Sequence, residues 1–282
     1  MLSLIFVSGL IALYALQRPR PRNPPLLKED FKNHGKVPAF EVYPPKEIPP
    51  EKSPPLPEVP KRPRVAIIID DLGYDLEIAN RFLQIEEPIT LSVLPDGAFK
   101  RILREAHRRG VETLLHLPME PMEYPRIDPG PGALLTTMAP DALIAQLEKH
   151  LDRMQTIRGV NNHMGSKMTA MSDQMYQIFS TLKKRNLFFI DSRTTSESLS
   201  RPSARLLKVP FAQRDVFLDH VPKSDFIRKQ LRQLIRTAAR QGYAIGIGHP
   251  HPVTLDVVRG ELPKMKGTVD FVPASAIVRI VG

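Results

Sequence analysis

The 282-residue sequence has no cysteine and no tryptophan, and aromatic residues make up only 6% of it. Without cysteine there can be no disulfide staple, no thiolate-ligated zinc and no cysteine nucleophile. Any metal must be held by His, Asp or Glu. The absence of tryptophan and the small aromatic share also weaken the case for stacked single-stranded nucleic acid. With 42% hydrophobic and 25% charged residues, the chain is neither disordered throughout nor a polytopic membrane protein.

What is present falls into three zones. Residues 1–16 are almost wholly apolar and are followed by Arg18, Arg20 and Arg22, the pattern of an export or anchor segment. The run is short for a spanning helix, which needs about 20 residues. Arginines after it favour a cytoplasmic C-terminus by the positive-inside rule; a basic stretch ahead of residue 1 would restore the export reading. Export to the periplasmic side of the inner membrane is the expectation, and cleavage is left open. Residues 17–64 hold 14 of the 29 prolines, several in pairs, interleaved with Lys and Glu. Such a stretch cannot build helix or sheet and reads as a semi-rigid tether. It carries 11 Lys and Arg against 6 Asp and Glu, so half of the net charge of +10 lies there. The remaining body is only mildly basic, and no nucleic-acid partner is expected.

From Val65 to Gly282 short β-branched runs alternate with longer amphipathic stretches, which implies a parallel α/β sheet. Strands are expected at 65–69, 89–93, 112–116, 160–163, 187–190, 206–209, 243–247 and 277–281. Helices are expected near 76–84, 98–108, 140–154, 173–184, 223–241 and 254–259. A compact barrel and a doubly wound open sheet both suit this alternation.

Polar residues cluster where the strands end. Val65–Ile69 runs into Asp70, Asp71 and Gly73, and a break at Gly73 would let both carboxylates turn inward. The structural alternative is a helix cap beside a solvated Asp. His116, His163, His249 and His251 also sit at or just past strand ends, whereas His107 and His150 fall on expected helix surfaces. A single rim histidine is often a satisfied core residue; four of eight, with Asp70, Asp71 and Asp191 at the same rim, are hard to obtain from packing alone. One Asp and two His with an open position form the ligand set of a catalytic zinc or similar divalent ion. Asp128-Pro-Gly-Pro-Gly132 lacks the Lys-Ser/Thr of a phosphate cradle and reads as a turn-rich loop over the rim.

Taken in order, Asp70-Asp71, His116-Leu-Pro-Met, Asn162-His163-Met-Gly-Ser166, Phe189-Ile-Asp191-Ser-Arg193, Arg214-Asp-Val-Phe-Leu-Asp219 and Gly248-His249-Pro250 resemble the divergent polysaccharide deacetylases of bacterial envelopes, relatives of the NodB-homology carbohydrate esterases. The resemblance covers roughly Arg64 to Gly282. It implies a distorted (β/α) barrel of about seven strands, metal-dependent removal of acetyl groups from N-acetylated sugars, a glycan substrate and no organic cofactor. It assigns Asp70 as general base, Asp71 and His116 as ligands of a divalent metal, zinc by preference, and His249 as general acid. Where the esterases have the second histidine of a His-x-x-x-His pair this chain has Glu120, so His163 is the expected substitute and Glu120 a weaker one. Asp191 is cast as a partner that orients a histidine or tunes Asp70. Arg193, Arg214 and Asp219 are candidates for substrate contact or structural ion pairs, and His251 for a flanking position. Two other classes remain: a carbohydrate-binding or scaffold protein that kept the barrel without turnover, and a receiver-like phosphoacceptor, against which the rim histidines and the length both argue.

Overall fold

The computed structural model describes residues 62–282. The expectations for residues 1–16 and for the tether, up to its last three residues, lie outside that range.

Nine strands are described: β1 (Arg64–Leu72), β2 (Thr90–Val93), β3 (Glu112–Met119), β4 (Gly159–Met164), β5 (Phe188–Asp191), β6 (Phe211–Gln213), β7 (Val216–Phe217), β8 (Tyr243–Gly248) and β9 (Asp270–Phe271). Seven α-helices accompany them: α1 (Leu76–Phe82), α2 (Phe99–Arg109), α3 (Pro140–Arg153), α4 (Ser172–Lys184), α5 (Ser200–Leu207), α6 (Ser224–Gln241) and α7 (Pro252–Met265). The strands pair in parallel in the order β6-β5-β4-β3-β2-β1-β8-β7, with β9 added beside β1. β6 and β7 are two halves of one stretch. Arg214 N–H bonds to Asp191 of β5 and Asp215 N–H to Ile245 of β8, so the chain steps from one end of the sheet path to the other. The result is the distorted barrel of about seven strands, not an open doubly wound sheet.

Strand parity sorts the apolar residues. Val65, Ile67 and Ile69 of β1 face the helices, whereas Ala66 and Ile68 point into the barrel with Leu114, Phe188, Ile190, Ala212, Ile245 and Ile247. The lower end is plugged by a 3₁₀ turn, Ala274–Ala276: Ala274 N–H bonds to Thr90 Oγ1 and Ser275 N–H to Glu112 Oε1. The barrel is therefore dry in its middle and closed below. Apart from Thr90 and Glu112 in that plug, the buried polar side chains that line the interior, Asp70, Ser92, His116 and Asn161, lie toward the C-terminal ends of the strands, where parallel α/β folds place their sites.

Three expectations need correction. The apolar pair in 206–209 belongs to the end of α5, in which Ala204 is buried and Leu206 is exposed, and the strand starts at Phe211. Pro202 in the first turn of α5 preorganises that helix. Residues 277–281 form no strand: Ile277 plugs the barrel and Arg279 makes one antiparallel bridge to Phe211. His150 is buried, bonded to the Gly132 carbonyl and Gln146 under the 128–132 loop.

Candidate active site and metal centre

β1 ends in a register shift between Ile69 and Leu72 relative to β2. Asp71 lies there in the left-handed region at φ 56°, so the break falls at Asp71 itself and not at Gly73. Asp70 keeps the interior parity of Ala66 and Ile68. Asp71, displaced by the bulge, turns to the same mouth. Two further non-glycine residues at strand ends share this conformation, Met164 after His163 and Arg193 after Asp191. Strain of this kind clusters at functional sites.

The structure brings Asp71, His116 and His163 together. Asp71 Oδ1 is 3.0 Å from His116 Nε2 and 2.8 Å from His163 Nδ1, and the two ring nitrogens are 3.2 Å apart. One donor atom from each lies within 4.8 Å of the others. The site is graded in depth, with His116 at 2% exposure, His163 at 17% and Asp71 at 33%, so it opens toward solvent on one side. Asp71 Oδ1 is itself buried and accepts no well-aligned hydrogen bond despite these neighbours. Burial alone would raise the Asp71 pKa; His116 and His163 override it and hold the carboxyl well below its usual range. An ionised oxygen left without a well-aligned donor, and two ring nitrogens within 3.2 Å of it and of each other, form the N and O donor set that a divalent cation prefers. The residues fit the implied metal.

Asp70 lies behind this group, 2% exposed, with Oδ2 3.7 Å from His116 Nε2. Burial pushes its carboxyl up, which makes the ionised form a stronger base. His249 faces the group from β8, its Nε2 3.8 Å from Asp71 Oδ2. Its Nδ1 donates to Asp219 Oδ1 at 2.9 Å, while Asp219 Oδ2 accepts from His249 N–H and Thr254 Oγ1. Burial would lower the His249 pKa; the hydrogen bond to Asp219 together with the charges of Asp70, Asp219 and Asp71 reverses this and raises it to about 9. The His249 ring also meets the Phe217 ring edge-on, and the Arg214 guanidinium lies 5.0 Å over that same ring.

The other candidates take different places. Glu120 is not among the metal donors: its Oε1 binds Lys167 Nζ at 2.5 Å and its Oε2 accepts from Thr136 N–H. A lysine on the carboxylate ties two loops together and occupies the lone pair a metal would need. Asp191 orients no histidine; its oxygens accept from Arg193 N–H and Ser198 Oγ and shape the loop after β5. Arg214 holds the carbonyls of Ser192 and Arg193, whose own side chain is exposed. His251 caps α7 with its ring 6.1 Å from that of His249.

A cleft of about 320 Å³ adjoins Asp71 and His163, walled by Tyr74, Pro118 and the 128–131 loop. A larger one, about 830 Å³, lies at the opposite end around Glu87, Arg109, Glu112 and Arg158. Only the smaller touches the donor set, and the chemistry belongs there. Tyr74, 62% exposed on its wall, and the buried Asn161 were not singled out from the sequence. Parity marks Asn161, two residues before His163 on β4 and directly across from His116 on β3.

A parallel barrel with a buried carboxylate, a carboxylate-paired histidine and an Asp-His-His cluster placed for a cation at its C-terminal mouth has the form of a carbohydrate-esterase-like hydrolase site. The sequence profile described as divergent polysaccharide deacetylase matches residues 67–278, and the chain belongs to that family. It is 33% identical over 216 residues to the uncharacterized protein YibQ of Escherichia coli strain K12, covering 76% of this chain and 67% of that one. An uncharacterized protein of Haemophilus influenzae Rd is 31% identical over 214 residues, covering 74% of each. The crystal structure of an uncharacterized protein from Agrobacterium tumefaciens C58 superposes with a TM-score of 0.74 at 29% identity, over 77% of this chain and 89% of that one.

Proposed function

We propose that this chain is a metal-dependent deacetylase that hydrolyses N-acetyl groups of an envelope glycan. The convergence of Asp71, His116 and His163 on one point beside an open cleft carries the reading. These three residues would hold the ion, with zinc matching the donors best. A bound divalent ion supplies Lewis acidity toward the acetyl carbonyl and eases deprotonation of water. Asp70 takes the proton of the attacking water as the new C–O bond forms. Its burial keeps the base away from bulk solvent, and Asn161 Nδ2 steadies one oxygen at 2.8 Å. His249, its Nδ1–H committed to Asp219, presents Nε2 to the site and gives its proton to the nitrogen as the C–N bond breaks. The products are acetate and a free sugar amine. An amine is a very poor leaving group unless protonated, so the raised His249 pKa suits a general acid. Tyr74 and the proline-rich wall offer the sugar a rigid, partly apolar face. With residues 1–16 as export or anchor segment and the tether behind them, the proposal places the barrel on the periplasmic side of the inner membrane.

Acetate release by the purified full chain from chito-oligosaccharides and peptidoglycan, with zinc and with chelator, tests this. Zinc-dependent release that is lost in Asp70→Asn is the expected result. Absence of release from every glycan, with zinc bound, would leave the carbohydrate-binding reading.

A further inference from the structure

The lower flank of the barrel, remote from the donor set, carries two apolar side chains among cations. Leu206 at the end of α5 is 69% exposed and Ile280 is 52% exposed. Arg201 lines two hollows, one of about 410 Å³ with Arg205, Leu206 and Gly282, and a smaller one with Arg279 and Val281. The hollows therefore adjoin, and the apolar pair and its arginines make one continuous face. Arg201, Arg205, Lys208 and Arg279 are all exposed, and none forms a salt bridge among the described residues. Asp215, which lines the smaller hollow, is already engaged by Ile245 N–H and Gln241 Nε2. Arg279 is held in place, donating from Nη2 to Tyr243 Oη at 2.9 Å and lying 5.0 Å over that ring.

Cations in the last turn of a helix offset its dipole, which accounts for Arg205. The dipole works against Arg201 in the first turn of α5, and Arg279 lies on no helix. Nor does it explain why large apolar side chains stand in water beside them. Cations without carboxylate partners around an exposed apolar pair match a bilayer with phosphate headgroups, where the apolar groups enter the acyl boundary and the cations meet the phosphates. The course of the chain agrees. Arg64 N–H bonds to the Gly242 carbonyl, Arg64 pairs with Tyr243, and its Nη1 reaches the Ala276 carbonyl. Residues 1–61, with the apolar run at 1–16, thus join the barrel beside the same flank. The mouth has the opposite sign, since Asp71, Asp96 and Asp128 line its cleft.

We propose that this flank docks on an anionic phospholipid bilayer, with Leu206 and Ile280 in the interface and the four cations on headgroup phosphates, leaving the mouth clear of the membrane. The contact goes beyond the deacetylase reading and does not depend on it.

The chain has no tryptophan, so one introduced tryptophan reports its own surroundings. The full chain carrying Leu206→Trp is mixed with vesicles of phosphatidylcholine alone, or of phosphatidylcholine with an equal amount of phosphatidylglycerol. Blue-shifted emission, quenched by brominated acyl chains, is expected on the mixed vesicles only. Met122→Trp, similarly exposed in the loop after β3 at the mouth, should keep its aqueous emission on both. Changing Arg205, Lys208 and Arg279 to Gln in the Leu206→Trp chain should lower the ratio of docked to undocked protein about 100-fold. High salt should act in the same direction. Equal shifts on both vesicle types overturn the proposal, because an apolar anchor alone would then suffice. A shift at Met122→Trp as large as at Leu206→Trp overturns it as well, because the orientation is lost. The same shift with dextran sulfate and no lipid would assign the face to a soluble anionic polymer and not to a bilayer.

Discussion

His249 is one of the strongly perturbed side chains at the rim. Its ordinary pKa is 6.5 and in the fold it rises to about 9, with burial opposing and the Asp219 hydrogen bond, joined by the charges of Asp70 and Asp71, prevailing. A group that gains a proton-favouring partner on folding contributes stability that is complete below its unfolded pKa and disappears as pH climbs through the folded value. Metal-free protein should therefore lose stability between about pH 6.5 and 9, by at most about 3 kcal/mol at about 1.4 kcal/mol per pH unit. Urea unfolding across that window in the presence of chelator measures the slope. Asp219→Asn should reduce it, leaving the part due to Asp70 and Asp71, and an unchanged slope would show that the pair is not what raises the histidine. His249 and Asp70 stand out in the sequence by their strand-end position, while the roles expected of them come from the family resemblance. Asp219 is visible only beside Arg193 and Arg214 as a candidate for substrate contact or a structural ion pair, because its role depends on Thr254 and on the His249 ring and backbone N–H, and a linear pattern does not report such contacts. Glu120 misled for a related reason: a carboxylate four residues after His116 has ligand spacing, but Lys167, 47 residues away, had already claimed it.

Elements were readable wherever an apolar period was long. β1, α3, α4 and α6 fall within a residue or two of expectation at nearly every end, because each buries a face whose spacing is set by its own geometry. The failures are short pieces. β7 and β9 have two residues each and no period to detect, and α5 shares its apolar pair with what looked like a strand. Packing between elements gives a sharper test, in two glycines. Gly246 lies on β8 beneath α6, where an added Cβ would stand 2.7 Å from Leu234 Cδ2 and 3.2 Å from Leu218 Cδ2. Gly260 lies exposed inside α7, where an added Cβ would meet nothing within 4 Å. Gly246→Ala should destabilise by about 1–3 kcal/mol through overpacking between sheet and helix. Gly260→Ala should stabilise by roughly 0.5–1 kcal/mol, since it lowers the entropy of the unfolded chain and favours helix. Thermal unfolding of the two single variants beside wild type checks both signs. If Gly246→Ala unfolds at the wild-type temperature, α6 is not pressed against β8 as described.

At the scale of the whole molecule the donor set links parts of the chain far apart in sequence, since Asp71, His116 and His163 sit on β1, β3 and β4. The unfolded chain does not hold these donors together, so an ion bound by all three binds the folded state far better and must stabilise the barrel by mass action. At free zinc a hundredfold above Kd the gain is about 2.7 kcal/mol. For a body of about 220 residues, each kcal/mol moves Tm by about 2–4 °C, so zinc should raise Tm by roughly 5–10 °C and chelator should reverse it. Variants apportion the effect. His116→Ala and His163→Ala should lose the zinc-induced rise, because each removes one of three donors. Glu120→Gln should keep it, because that carboxylate serves Lys167 and the Thr136 backbone. His249→Ala should keep most of it as well, because its Nδ1 is committed to Asp219 and its Nε2 stands 3.8 Å from the Asp71 oxygen rather than within the convergent set. A rise abolished in Glu120→Gln but intact in His163→Ala would move the metal to the position where related esterases carry their second histidine. It would also require the rim to rearrange around Lys167 before any cation could bind.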